Sequence, residues 1–233
     1  MLKFIFIVGR ILIDEQNFFS FIDSRLLYLL NQFGAKIDNR NYYAIKNDVI
    51  KNKKLLKNSA EELVSQICRV LVPKGCEKLI LRYINPSIEF AEKHMLYPYA
   101  DSMDSLKTLA KIFRIGIIGS YERELSKILK IYEMDRYINF CVLSCKENIE
   151  HNMHIFHLIL DVLGVKPDEA LLIGDILDTH VSLANSLGMI SIRISNTRFK
   201  LQEAMNQNEV PILTISKLKE LTKIKYIKVN FND

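Results

Sequence analysis

The chain has 233 residues, 49% of them apolar and 25% charged, and its 32 basic against 27 acidic side chains give a formal charge of +5. That length supports one domain, or a domain carrying a sizeable insertion, around a substantial core. The basic residues are interspersed, which argues against a nucleic-acid groove. No run reaches the ~18 apolar residues that would cross a bilayer, and four cysteines in a chain this long do not make a disulfide framework.

In chain order, Lys3–Val8 is a β-branched and aromatic run that predicts a strand buried on both faces. Arg10 interrupts the apolar start and no small-residue cleavage site follows, so the segment reads as a first strand rather than a signal peptide. A cytoplasmic protein with reduced thiols is expected. Gly9-Arg10 breaks the strand, and the short apolar Ile11–Ile13 leads to Asp14. From Asn17 to Phe33 the period changes: Phe18, Ile22, Leu26, Leu29, Leu30 and Phe33 recur at three and four, and Gly34 closes a helix. Residues 36–96 continue helical and polar, with Glu61–Val72 and Ile84–His94 the clearest helices. The block 15–96 therefore reads as a helical insertion, and 1–14 with 97–233 as the surrounding core.

Beyond Pro98 come a helix over Ser102–Phe113 that Asp101 or Ser102 could cap, a strand Arg114–Ile118, a helix Glu122–Tyr132 and a strand Phe140–Leu143. A helix His154–Leu163, closed by Gly164, leads to a strand Leu171–Ile173 and a further helix. The strand Ile190–Ile194, a helix Lys200–Asn206, a strand Ile212–Ile215 and a helix Lys217–Leu221 complete the chain. This alternation implies an α/β, Rossmann-like parallel sheet with helices on both faces.

The stretch LLIGDILDTHVSLANSLGM, Leu171–Met189, puts Asp175 directly after an apolar strand. That is the carboxyl edge of a sheet, where open α/β folds keep their sites. Asp175, Asp178 and His180 follow around one turn, and either line a polar pocket or, for the two acids, cap the next helix. Cys141, Cys145, His151 and His154 are close enough in sequence to be weighed as a zinc set. Their spacing is not one of the usual tight pairs, and Cys141 inside a strand has an ordinary packing explanation. Phe18, Phe19, Phe21, Tyr28, Tyr42 and Tyr43 enrich the insertion in aromatics, expected mostly as core. Lys51–Lys57, KNKKLLK, reads as a solvated helix face.

The runs FIVGRILID, GIIGSYERELSKILKIYEMDRYINFCVLS and IFHLILDVLGVKPDEALLIGDILDTHVSLANSLGMISIRI resemble the haloacid dehalogenase superfamily over nearly the whole chain. The resemblance implies a C1-type helical cap inserted after the first strand. It also implies an aspartyl nucleophile at the end of that strand, with an acid/base Asp two residues on. A hydroxyl residue, a lysine and magnesium held by acids after the Gly-Asp turn would complete the site.

Carried over residue by residue, most of that set is replaced. The nucleophile position falls on Ile7, the acid/base position on Gly9, the hydroxyl position on Gly119 beside Ser120, and the lysine position on Glu150 near Lys146. Asp175 is retained, and the later acidic position falls on His180, with Asp178 two residues earlier. A shifted register with Asp14 as nucleophile has Gln16 where an acid is needed. Asp175, Asp178, His180, Ser120, Asp14 and Lys146 are then a relict pocket. Magnesium would have one firm carboxylate, Asp175, so no cofactor is expected. The expectation is a family member lacking aspartyl-nucleophile activity and serving a binding, regulatory or assembly role, with a second copy or a protein partner engaged through the cap. The alternative is an active phosphatase or dehalogenase using non-standard residues with Mg2+.

Overall fold

The computed structural model describes residues 3–52, 59–119, 122–143 and 152–223, with the backbone alone for 122–124. It divides into two compact units, Met1–Asp14 with Tyr97–Asp233, and Glu15–Leu96.

The first unit is built on strands β1 (Phe4–Val8), β4 (Arg114–Gly119), β5 (Phe140–Leu143), β6 (Ala170–Gly174), β7 (Ile190–Ile194) and β8 (Leu213–Ile215), in the spatial order β5-β4-β1-β6-β7-β8. Every neighbouring pair is parallel. Helices α5 (Ser102–Leu109), α6 (Glu122–Ile131), α7 (Met153–Leu163), α8 (Ser182–Leu187) and α9 (Leu218–Leu221) connect or follow the strands. All five residues of β1 are buried, as are all five of β6. A strand covered on both faces has no polar side to offer, which is why FIFIV and ALLIG do not alternate. The chain winds from β1 outward through β4 to β5, then returns to the other side of β1 and winds outward through β6, β7 and β8. The reversal falls beside β1, so Val8-Gly9 and Gly174-Asp175 leave the sheet at its topological switch point.

The register aligns one residue from each strand: Cys141, Ile117, Ile7, Ile173, Ile192 and Leu213. Residues paired this way share a face of the sheet. Ile7 thus sits inside a continuous apolar row.

Two short strands, β2 (Ile13–Asp14) and β3 (Tyr97–Pro98), pair antiparallel. Ser102 Oγ donates to the Leu12 carbonyl at 2.9 Å instead of capping α5, whose start has no side-chain cap.

The second unit consists of α1 (Gln16–Gln32), α2 (Asn39–Lys51), α3 (Ala60–Leu71) and α4 (Cys76–His94). Phe18, Ile22, Leu26 and Leu30 form the buried stripe of α1, and Ile80, Ile84, Ile88 and Ala91 that of α4. The helix expected from Ile84 begins at Cys76 and runs through Pro86. A proline that lacks an N–H gives a helix-start signal in sequence, yet here the buried stripe on both sides carries the helix past it. Phe18 and Phe19 are core, as is Tyr42, whereas Tyr28, Tyr43, Tyr83 and Phe90 are exposed. Phe21 with Phe90 and Phe33 with Tyr83 bring rings of α1 and α4 together at 6.1 and 6.2 Å. Lys51 ends α2, and most of the basic run after it lies outside the described residues.

One buried polar cluster interrupts this core. Asp23 of α1 receives the Tyr42 hydroxyl at 2.7 Å and the Lys46 ammonium at 2.5 Å, both from α2. All three side chains are buried. Burial, then the charge of Asp23, push the Tyr42 hydroxyl above its ordinary range, so it remains a donor.

The helix expected over Lys200–Asn206 is absent. The segment makes tight turns, with Lys200 N–H donating to Thr197 O and Gln202 N–H to Phe199 O. Two tertiary contacts hold it: Arg193 Nη2 donates to the Phe199 carbonyl at 2.8 Å, and Leu177 N–H donates to Gln202 Oε1 at 3.1 Å. With the Phe199 ring and the Gln202 side chain both buried, these contacts outweigh a weak helical preference.

Candidate functional site

The switch point brings together the turn after β1 and the turn after β6. In the first, Ile7 is wholly buried and is followed by a 3-10 turn, Gly9–Leu12. An ideal Cβ on Gly9 would lie 2.2 Å from Leu125 Cδ2, with Ile117 Cγ2 at 3.4 Å. The space beside the Gly9 Cα is therefore filled by a leucine of α6. Gly119 ends β4 with a φ of +149°, a conformation that suits glycine. Ser120, Lys146 and Glu150 lie outside the described residues.

After β6, Asp175 is buried and the backbone turns into a π-helical segment, Leu177–Val181, which runs into α8. Single-turn π segments recur at functional sites. Neither acid caps a helix: Ile176 and Val181 occupy the cap positions, without side-chain cap bonds. The turn closes on the wholly buried His180, whose Nδ1 accepts the N–H groups of Asp175 and Ile176, both at 3.2 Å. The same Nδ1 lies 3.2 Å from Asp175 Oδ1. Asp175 Oδ1 is buried and has no hydrogen-bond donor among the described residues. Asp178 is exposed.

The imidazole packs on Gly174, where a Cβ would lie 2.2 Å from His180 Cβ and 2.7 Å from its Cγ. We expect Gly174→Ala to lose stability at or above the upper end of the ~1–3 kcal/mol typical of overpacking. Urea unfolding checks this, and a midpoint equal to wild type would contradict the packing.

Three guanidiniums act electrostatically on Asp175 or are acted on by it. Arg193 of β7 is in register with Gly174. Arg10 and Arg198 both lie over the Phe199 ring, at 5.4 and 4.8 Å from its centroid, and Arg193 holds the Phe199 carbonyl. Arg10 is only 7% exposed. Burial opposes ionisation of Asp175, but the His180 contact and the guanidiniums of Arg10 and Arg198 outweigh it and hold the carboxyl below its ordinary value. Desolvation lowers the ionisation range of Arg193, with the Asp175 charge acting in the opposite direction. None of these arginines, nor Leu125, was singled out by the sequence reading as a site residue. A signal existed for two of them: Arg10 is the sole charge in Phe4–Ile13 and Arg193 the sole charge in Ile190–Ile194.

Asp14 sits on β2 and lines a separate cavity of about 290 Å³ with Tyr99, Asp101, Ser102, Asn196 and Lys217, to which Asp175 does not contribute. Of the cysteine and histidine set, Cys145 and His151 lie outside the described residues, while Cys141 is on β5 and His154 on α7. Cys141 is exposed on this edge strand and not the packed core residue expected; partial desolvation still pushes its thiol up to about 11, which keeps it protonated at neutral pH. Among the described residues no group of three His, Cys, Asp or Glu side chains could hold a metal, and no helix is long and apolar enough to cross a membrane.

The donors among the described residues do not suit magnesium. The orphaned Oδ1 of Asp175 is one oxygen that a cation could take. Against it stand the hydrocarbon of Ile7, the absent side chain of Gly9, and permanent positive charge on Arg10, Arg193 and Arg198. Magnesium requires near-octahedral oxygen ligation, and the guanidiniums would repel it.

Comparison with known proteins gives this architecture relatives. A family model described as haloacid dehalogenase-like hydrolase matches residues 27–194, a span that begins after Ile7 and Gly9. A glyceraldehyde 3-phosphate phosphatase of Methanopyrus kandleri is 31% identical over 130 residues, 54% of this chain and 55% of that protein. One of the same name from Methanocaldococcus jannaschii is 25% identical over 196 residues, 82% of each chain. The crystal structure of YfnB from Bacillus subtilis, bound to magnesium, superposes with a TM-score of 0.63 at 15% identity, covering 95% of this chain and 97% of that one.

Proposed function

The chain belongs to the haloacid dehalogenase-like hydrolase family, and from that premise we propose that it keeps the family fold without the aspartyl-nucleophile chemistry, in a binding, regulatory or assembly role. The observation that carries this is the position of Ile7. It is wholly buried between Ile117 and Ile173, at the place where the resemblance requires a carboxylate. An alkyl group has no lone pair to attack phosphorus or carbon, and Leu125 fills the space next to Gly9 where the proton-transferring acid would stand.

A second reading, an active phosphatase, draws on Asp175, which the chain retains, and on the two relatives named as phosphatases. The experiment that separates the readings is hydrolysis of an aryl phosphate and a panel of phosphate metabolites, glyceraldehyde 3-phosphate included, with magnesium. Asp175→Asn serves as the control for contaminating activity. The expected result is no turnover above that variant. Turnover that disappears in the variant would establish the second reading.

In the binding role, the helical unit 15–96 is proposed as a cap whose exposed Tyr28, Tyr43, Tyr83 and Phe90 offer a surface to a second copy or a protein partner. Light scattering on the purified chain reads the first of these directly.

A further inference from the structure

We infer that the guanidiniums of Arg10, Arg193 and Arg198 take over the charge-balancing role that the family gives to a divalent ion, so that Asp175 is held as an internal, metal-free counter-charge. Hydrolysis plays no part in this inference, which stands or falls whether or not the chain turns over a substrate.

The sheet register is the first support. Arg10 leaves the sheet just after β1 and Asp175 just after β6, neighbouring strands joined by the Ile7–Ile173 pair. Arg193 enters from the next strand, opposite Gly174. Three adjacent strands therefore deliver two arginines and one carboxylate to one edge. The second support is Phe199, which organises the cluster: its ring lies under Arg10 and Arg198, and its carbonyl accepts from Arg193. A planar guanidinium can rest on a ring face and stay charged while buried, which an ammonium does less well. The third is reciprocity. Asp175 is 1% exposed and Arg10 7% exposed, and each ion withdrawn from water needs opposite charge nearby.

The same geometry gives each arginine a separate task. Arg193 fixes the loop that carries Phe199 by holding its carbonyl, and Arg198, within that loop, rests on the Phe199 ring. Arg10 occupies the position after Gly9, where a side chain projecting from the turn adds positive charge beside the carboxylate. A divalent ion entering there would meet charge that cannot be deprotonated away. These are positioning and charge-balancing residues, not catalytic ones.

Two measurements test the inference. The first uses the wild-type chain alone: calorimetric titration with MgCl2 and MnCl2, together with thermal unfolding with and without millimolar Mg2+. No saturable heat and an unchanged Tm are expected. Saturable binding that disappears in Asp175→Asn would overturn the inference. The second is a double-mutant cycle on Tm with Arg10→Met and Asp175→Asn. The fall in Tm caused by Arg10→Met should shrink by about half or more in the Asp175→Asn background, because the charge that Arg10 balances has been removed. Equal falls in both backgrounds would overturn it. If Arg10→Met does not accumulate, Arg10→Lys, which keeps the charge but loses the planar fork, enters the cycle, and the wild-type titration decides regardless. Neither readout is turnover, so a failure here is distinguishable from an unexpected phosphatase activity.

Discussion

Ile7→Asp is expected to be among the most destabilising single substitutions in the chain, and to produce no phosphatase. It removes a wholly buried isoleucine from a row in which both neighbours are isoleucines. Loss of that packing alone costs about 2–5 kcal/mol on the scale of isoleucine truncations. Placing a carboxylate there adds a desolvation penalty of several kcal/mol per ion. The acid would escape part of this by staying protonated, so its folded-state ionisation is raised above the unfolded value. A group raised in this way has its stability contribution fully present below the unfolded pKa and loses it as pH rises. The deficit relative to wild type should therefore grow as pH climbs above about 4.

The pair Ile7→Asp/Gly9→Asp should be worse, because the second side chain meets Leu125 at once. Adding Leu125→Ala makes room but removes a buried side chain. Urea unfolding between pH 4 and 8, with a phosphatase assay beside it, checks both halves. A double variant that unfolds at the wild-type midpoint and hydrolyses an aryl phosphate with magnesium would mean that the site is two residues from activity.

Asp23→Ala should cost about 3–5 kcal/mol, the range seen when one partner of a buried ion pair is removed. At roughly 2–4 °C per kcal/mol for a chain of this size, Tm falls by about 6–20 °C. The reason is local: Lys46 is 7% exposed and loses the carboxylate 2.5 Å away, and the buried Tyr42 hydroxyl loses its acceptor. Tyr42→Phe removes only the hydrogen bond to a charged group and should cost about 1.5–3 kcal/mol. The double variant Asp23→Leu/Lys46→Met removes both charges together and should cost much less than the sum of Asp23→Leu and Lys46→Met made singly. Circular dichroism melts of the wild type, both single variants and the double would show this directly, and additive losses would mean that the pair is not coupled.

How much of this could be read from the sequence depended on whether one segment decided the matter. FIFIV and ALLIG are buried strands by composition alone, and the stripe Phe18, Ile22, Leu26, Leu30 makes α1 a helix whatever it packs against. The Gly-Asp turn after β6 was legible for the same reason, since a carboxylate directly after an apolar run has few other places to go. The expected helix Lys200–Asn206 failed because its conformation is set from outside, by Arg193 and by the Leu177 N–H. The expected capping by Asp175 and Asp178 failed because the chain enters the π segment through Ile176, and the first N–H of that segment, from Leu177, is taken by Gln202.

The sequence by itself determined the parallel α/β core and the run of helices that follows its first strand. Each of these is a property of residue type and period along one stretch. Only the tertiary structure decided what fills the space: Leu125 beside Gly9, the isoleucine row around Ile7, and the arginines around Asp175. Arg10, Asp175, Arg193 and Arg198 come from three different strand ends and a loop. No local pattern joins them, because their proximity is created by the sheet register.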